Sequence, residues 1–343
     1  MAALGPDTVL DFADAAHLLR RVGFGPTRAE INALVGMTRA QAVDTVMDLS
    51  GAPPAPRPGV VNHENQWWAH TYTIDWWVER MVTSPTPLQE KMTLFWHDHF
   101  ACGQDKVFDM PAMWEQNQIF RSRCLGDFHD LCQAASVSSA MLVYIDNESN
   151  VAGAEQENFA RELMELHTIG VGNFSESDVV AMARAWTGHN TIGWTGTRWD
   201  TTYRFYPERH DNGNKTLFGI RRNWDGPDTI TEICHGAKQQ AMARFIARKL
   251  WVWFANASPS TTLVNQLANT FIAADLDIAA LVRSVLLRDE FWGPASRWAL
   301  VKNPAEYMAD FLRRTGLPVA DAAVRWHMAP MGMTLFDPPN VAG

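Results

Sequence analysis

The chain reads as all-α: a single large multi-helical domain over residues 1–343, interrupted by one long, partly irregular loop insertion at about 188–226. Three observations predict that class. Helix start signals recur along the sequence, glycines stand just past the ends of helical runs, and alternating strand patterns are nearly absent. Thr201–Tyr206 is the one plausible short strand. At roughly 150 residues per domain the length allows two domains, but no linker cuts the chain.

The elements follow in order. Thr27-Arg28-Ala29-Glu30 and Thr38-Arg39-Ala40-Gln41 have the form of capping boxes, in which the Thr hydroxyl and the N3 carboxyl or amide serve each other's backbone donors. The second should open a helix to about Asp48. Residues 51–60 carry four prolines and read as a surface loop, because Pro lacks the helical donor. A helical run spans Asn65–Met81. Thr86-Pro87-Leu88-Gln89 combines an N-cap, Pro at N1 and Gln at N3, and predicts a helix to about His99. Further runs are Met113–Arg123, Asp127–Ala135, Glu155–His167 and Glu176–Trp186. After the 188–226 region, which holds Gly188, Gly193, Gly196, Gly213, Gly219 and Gly226, come Lys238–Phe254, Thr262–Ala273 and Ile278–Leu287. Asn303-Pro304 starts a last helix to about Arg314. Gly170, Gly188 and Gly316 stand where a helix C-terminus favours Gly.

Composition excludes several classes. With 29 Lys and Arg against 38 Asp and Glu the chain carries a net charge of −9, and it has few basic clusters, so nucleic acid and anionic membrane are poor partners. No run of about 18 apolar residues suggests a membrane span. The start, MAALGPDTVLDF, lacks the pattern of a signal peptide, which gives a cytoplasmic expectation. Cys102, Cys124, Cys132 and Cys234 form no C-x-x-C pair, so they read as reduced, buried thiols. One count is unusual: 15 Trp against 5 Tyr. Trp67, Trp76, Trp77, Trp96, Trp114, Trp186, Trp251 and Trp253 fall on predicted helices and suggest a heavy core. Trp194, Trp199 and Trp224 fall in the long loop and suggest a binding surface.

Three constellations could carry chemistry. Phe95-Trp96-His97-Asp98-His99-Phe100 is dense in metal-ligand side chains. Residues i and i+2 of a regular helix are about 200° apart, so His97 and His99 share one point only if the helix ends early. Otherwise one packs, or His99 caps the helix end. In Glu155–His167, the residues Phe159, Leu163 and Leu166 make an apolar face. Glu162 and Glu165 are i,i+3 neighbours that repel unless a cation lies between them. Self-pairing with Arg161 is the bland alternative. The third run, His210-Asp211-Asn212-Gly213-Asn214-Lys215, offers a base, a carboxylate and a cation on a loop, or simply a polar turn. The remaining histidines read as isolated. No nucleophile elbow, Walker loop, zincin motif or dinucleotide fingerprint appears.

These motifs, taken in order, resemble a known family. His17-Leu18-Leu19-Arg20-Arg21-Val22-Gly23-Phe24-Gly25-Pro26-Thr27, Lys91–Phe100, and Glu157–Leu166 with Gly170-Val171-Gly172-Asn173 are similar to successive motifs of the bacterial family called domain of unknown function 1800. Ala183–Gly188, His210-Asp211 with Lys215-Thr216, and Phe336–Val341 continue the resemblance. It covers residues from about 14 to the end. It implies a mostly helical single domain and makes His97, His99, Glu162, Glu165, His210 and Asp211 natural candidates for a shared site. Members are often exported. Three departures stand out: His167 where the pattern has an aromatic or apolar residue, Gln156 in place of Asn, and an end at Gly343 where members continue through a Trp-Pro-Gly segment. The last is expected to mark a short branch or a truncated chain.

The leading expectation is a metal-dependent enzyme, an iron- or manganese-type oxidoreductase or oxygenase acting on a small molecule or peptide side chain. His97, His99, Glu162 and His210 would hold the metal, with Glu165, Asp211 and Lys215 as catalytic groups. A zinc hydrolase is the close variant. The alternatives are an aromatic- or sugar-binding protein using Trp194, Trp199 and Trp224, with Trp67-Trp68 and Trp76-Trp77 as helical platforms, and a non-catalytic scaffold.

Overall fold

In the computed structural model, which describes residues 5–195 and 199–342 and leaves the side chains of Trp194 and Trp199 outside that set, helices form where capping chemistry starts them. Both capping boxes are made, and they open helices Arg28–Leu34 and Arg39–Met47. Asn303 and Glu306 form a third, at the start of helix Pro304–Thr315, which ends at Gly316 with φ +71°. Pro at N1 starts helix Pro87–His99, although Thr86 makes no cap bond. Helices Gln66–Thr83, Met110–Ser122, Phe128–Ser136, Glu176–Ala185, Gln239–Phe254, Thr261–Ala273 and Ile278–Leu287 lie close to their predicted places. Helices Phe12–Val22, Ser139–Tyr144 and Gly226–His235 were not foreseen as such.

Among the described residues the fold is 59% helical, and the only sheets are two antiparallel hairpins, which makes it mostly α. One hydrophobic cluster runs from Leu10 to Phe336, with the helices wrapped around it. Deep in that cluster Glu90 accepts from Trp77 Nε1–H at 2.9 Å and pairs with Arg121 at 2.8 Å and Arg80 at 3.1 Å. A buried carboxylate needs such partners, and they fix the long axis of the Pro87–His99 helix.

Two regions differ from expectation. The 188–226 insertion holds the strand expected at 201–206 and more regular structure besides. Strand β1 (His189–Trp194) pairs with β2 (Trp199–Phe205), and β3 (Lys215–Leu217) pairs with β4 (Ile220–Arg222). Gly188 makes the entry turn with φ +79°, and a Cβ there would lie 2.6 Å from the Tyr206 carbonyl oxygen. The second region is the predicted 155–167 helix. It begins only at Asn158 and passes at Leu163–Thr168 into a π-helical turn. The wider turn rotates the apolar stripe, so Leu163 and Met164 are buried while Leu166 is only half-buried. Such turns are rare and cluster at functional sites.

Candidate functional site

The structure does not gather the expected metal ligands. Helix Pro87–His99 stays regular through His99, so His97 and His99 point apart, as their spacing requires. His97 packs edge-on against Trp77, and its Nε2 accepts from the Phe336 N–H at 3.0 Å. His99 Nε2 donates to the His167 carbonyl at 2.8 Å, and its Nδ1 meets Lys249 Nζ at 3.1 Å. His167 returns the bond from Nδ1 to the His99 carbonyl at 2.7 Å. This reciprocal pair clamps the π-helical turn to helix Pro87–His99. Burial drives all three imidazoles towards the neutral form, His97 and His167 to about 3.

The remaining predicted residues hold structure. His210 Nδ1 bonds the Thr187 carbonyl at 2.9 Å. Asp211 pairs with Arg184 at 2.6 Å, which holds its carboxyl below the usual range. Lys215 is buried and gives its ammonium to the carbonyls of Asp211 and Trp224 and to Asn223 Oδ1, so it staples the second hairpin. Trp224, expected as a binding platform, is 1% exposed and belongs to the core. Trp194 and Trp199 pair across the first hairpin by their backbones, while their side chains lie outside the described residues. Glu162 and Glu165 are half-buried and form no ion pair among the described residues. Burial, then Glu165, raises the Glu162 carboxyl. Arg161 pairs instead with Glu176 at 2.7 Å. Among the described residues one trio has donor atoms within 4.8 Å of one another, Asp127, His129 and Asp130. It includes none of the expected ligands and serves as a helix cap, with Asp127 accepting from the Asp130 N–H at 2.8 Å and His129 bonded to Thr231 at 3.0 Å.

A large concave feature lies elsewhere. A cavity of about 780 Å³ opens between helices Phe12–Val22, Pro87–His99 and Gln239–Phe254 and the 298–306 segment. That volume suits a small-molecule site. Its walls are cationic, an inversion of the chain's net charge of −9. Arg20 and Arg21 enter from the first helix, Lys91 from the second, and Arg248 and Lys249 from the third, with Lys302 and Arg314 at the rim. Asp98 and Glu306 stand among them, and Asp310, outside the lining, pairs with both Lys302 and Arg314. Phe24, Phe95, Phe245, Trp253 and Trp298 supply apolar wall.

Helical spacing builds this wall. Lys91, Phe95 and Asp98 recur at i, i+4 and i+7, so they share one face of helix Pro87–His99 while His97 and His99 turn inward. Arg21 is held by the Ser296 carbonyl, and Arg20 lies over the Trp298 ring at 4.1 Å. Burial, then Arg20, lowers the Arg21 guanidinium to about 10, which leaves it charged at neutral pH. Lys91 is buried, contacts the Glu306 carboxylate and stands 4.9 Å from the Trp253 ring centre. Burial and the like charges of Arg21 and Lys302 push its ammonium down, to about 7. Asp98 is raised and Lys249 lowered, both by burial first, each opposed by the other's charge. Trp253 Nε1–H, buried in the same wall, has no acceptor among the described residues.

Sequence reasoning singled out none of Arg20, Arg21, Lys91 and Lys249 as site residues, although the first three stand in motifs already quoted. Their signal was the helical stripe rather than the His-x-His pair. The family described as protein of unknown function (DUF1800) matches residues 17–343, and the chain belongs to that family. No curated protein and no solved structure matches the chain. Among the described residues no helix is long and apolar enough to cross a membrane.

Proposed function

We propose that the 780 Å³ cavity is the working site and that it takes a small anionic molecule, a carboxylate or phosphate carried on an apolar or aromatic body. The carrying observation is the charge inversion: seven cations against two carboxylates around a deep pocket in an acidic protein. Concentrating like charge costs stability through self-repulsion, and a bound anion removes that cost. Arg21 is preset by Ser296 to present its fork, the geometry that suits carboxylate and phosphate. The aromatic walls would hold the rest of the ligand. Asp98 and Lys249, whose proton affinities burial drives towards each other, supply an acid–base couple at the same wall. The reading is therefore an enzyme that binds an anionic substrate and moves a proton on it.

Isothermal titration with inorganic phosphate and with benzoate tests this. We expect saturable binding that weakens with salt and falls by about tenfold or more in Arg21→Ala, one charge-assisted bond being worth about 1.5–3 kcal/mol. Absence of binding by both anions, or equal binding by folded Arg21→Ala protein, overturns it. An iron or manganese ion, with zinc as the variant, is a second reading. What favours it is the Glu162–Glu165 pair, which forms no ion pair among the described residues and feels the Arg161 charge only as the last of the influences on Glu162. Element analysis of protein purified without chelator decides it, and only trace metal would remove it.

A further inference from the structure

A second cavity, of about 430 Å³, lies at the start of helix Gln66–Thr83 and shares no lining residue with the cationic one. Its chemistry is the opposite. Glu64, Asp105 and Asp337 line it, against one cation, Arg325. Asp105 and Asp337 stand side by side: a Cβ added at Gly103 would lie 2.5 Å from one Oδ1 and 3.3 Å from the other. Burial, then Asp105, raises the Asp337 carboxyl. Gln104 also lines the cavity and is 5% exposed. Its Nε2 donates to Gln66, while its Oε1 has no partner among the described residues.

One wall of this cavity is Trp67, and it continues outward as an aromatic shelf. Trp67 is 40% exposed, Trp68 41%, Tyr72 38% and Trp326 63%. Trp68 stacks on Tyr72 with ring centres 5.5 Å apart, and Trp326 lies 5.8 Å from Trp67. The sequence placed Trp67 in the core, but in the first turn of helix Gln66–Thr83 it is left partly exposed. Contiguous exposed aromatics of this kind mark a binding surface.

We propose that this cavity and its shelf bind a neutral carbohydrate, with a sugar ring on Trp67 and its hydroxyls meeting Asp105, Asp337 and Gln104. Sugars ask for this mixture: an apolar face to lie on and acceptors and donors arranged round its edge. An organic cation fits less well, because the Arg325 guanidinium, 4.9 Å over one face of the Trp67 ring and fixed by Thr71 at 2.9 Å, repels it. An anion is repelled by the carboxylates. The site is independent of the proposed function and stands if that reading fails.

The test is a neutral-glycan array with the full chain, followed by titration of the strongest binder against wild type, Trp67→Ala, Trp326→Ala and Asp337→Asn. Circular dichroism confirms folding, and the exposed Trp326 gives a variant that leaves the core untouched. We expect saturable binding, weakened by about tenfold or more in Trp67→Ala and Asp337→Asn, and no change in Trp298→Ala, which alters the other cavity. No neutral glycan bound by folded protein, binding insensitive to Trp67→Ala and Trp326→Ala, or displacement of the glycan by tetramethylammonium overturns the proposal.

Discussion

Lowering the pH from about 7.5 to about 5 should unfold this protein through its histidines. Five are buried in the neutral form. Burial pushes His17 and His70 down to about 4, His97 and His167 to about 3, and His99 well below its ordinary value. Their bonds fit that state: His97 Nε2 accepts from the Phe336 N–H, and a proton there would set two donors against each other. Unfolded, each titrates near 6.5. The folded values lie lower, so the unfolded state binds more protons in this window. Stability is complete above about 6.5 and is lost as the pH falls towards the folded values near 3–4. The half-buried Asp75 carboxyl, raised to about 6 by burial, opposes this by taking up a proton while folded. The net uptake on unfolding is then roughly four protons, or about 5 kcal/mol per pH unit between about pH 6 and 5. A total at the low end of the usual range of about 5–15 kcal/mol puts the midpoint near pH 5, and a larger total puts it lower. Urea unfolding followed by tryptophan fluorescence at half-unit pH steps gives the slope directly. His70→Gln, which keeps a donor for the Leu335 carbonyl, should lower it by about one proton. A wild-type slope below one proton between about pH 6.5 and 5 would refute the reasoning.

Two further outcomes can be checked on the same preparations. Glu90→Gln leaves Arg121 buried without its carboxylate and should cost about 3–5 kcal/mol in urea unfolding, while Glu90→Leu combined with Arg121→Met should recover most of that loss. A cost for Glu90→Gln within 1 kcal/mol of zero would mean the pair is not the anchor described. Burial raises the thiols of Cys102, Cys124 and Cys132 to about 12, and that of Cys234 well above its ordinary value. The thiolate is the reactive form, so Ellman's reagent should label none of the four until the chain unfolds. Rapid labelling of one thiol in the native protein contradicts this.

Local chemistry made the fold legible, and long-range packing hid the site. Capping at Thr27, Thr38 and Asn303 depends on residues three apart, so the sequence alone announces it. The π-helical turn at Leu163–Thr168 has no such local signal. It is accompanied by the His99–His167 clamp, a contact across 68 positions. The hairpins of 188–226 were hidden for a similar reason: Lys215, read as a reactive cation, is spent on carbonyls that only the folded loop brings to it. Trp224 went the same way, from proposed platform to core, since a tryptophan's exposure is decided by neighbours far along the chain.

The Lys91–Phe100 motif shows how ligand-type side chains draw attention away from the rest of their segment. His97-Asp98-His99 attracts attention because its side chains bind metals, yet a regular helix sends the two imidazoles apart. The same helical argument, applied to the whole motif, aligns Lys91, Phe95 and Asp98 on one face. That face is the one the structure turns to the cationic cavity. The histidines are not idle there. His99 sits behind the wall with its Nδ1 on Lys249, and its Nε2 on the carbonyl of His167 fixes which nitrogen is free to receive the ammonium. The clamp between the two motifs therefore positions a cavity lysine from a third helix. This is why one helix can carry buried neutral histidines and a polar, charged binding face within ten residues.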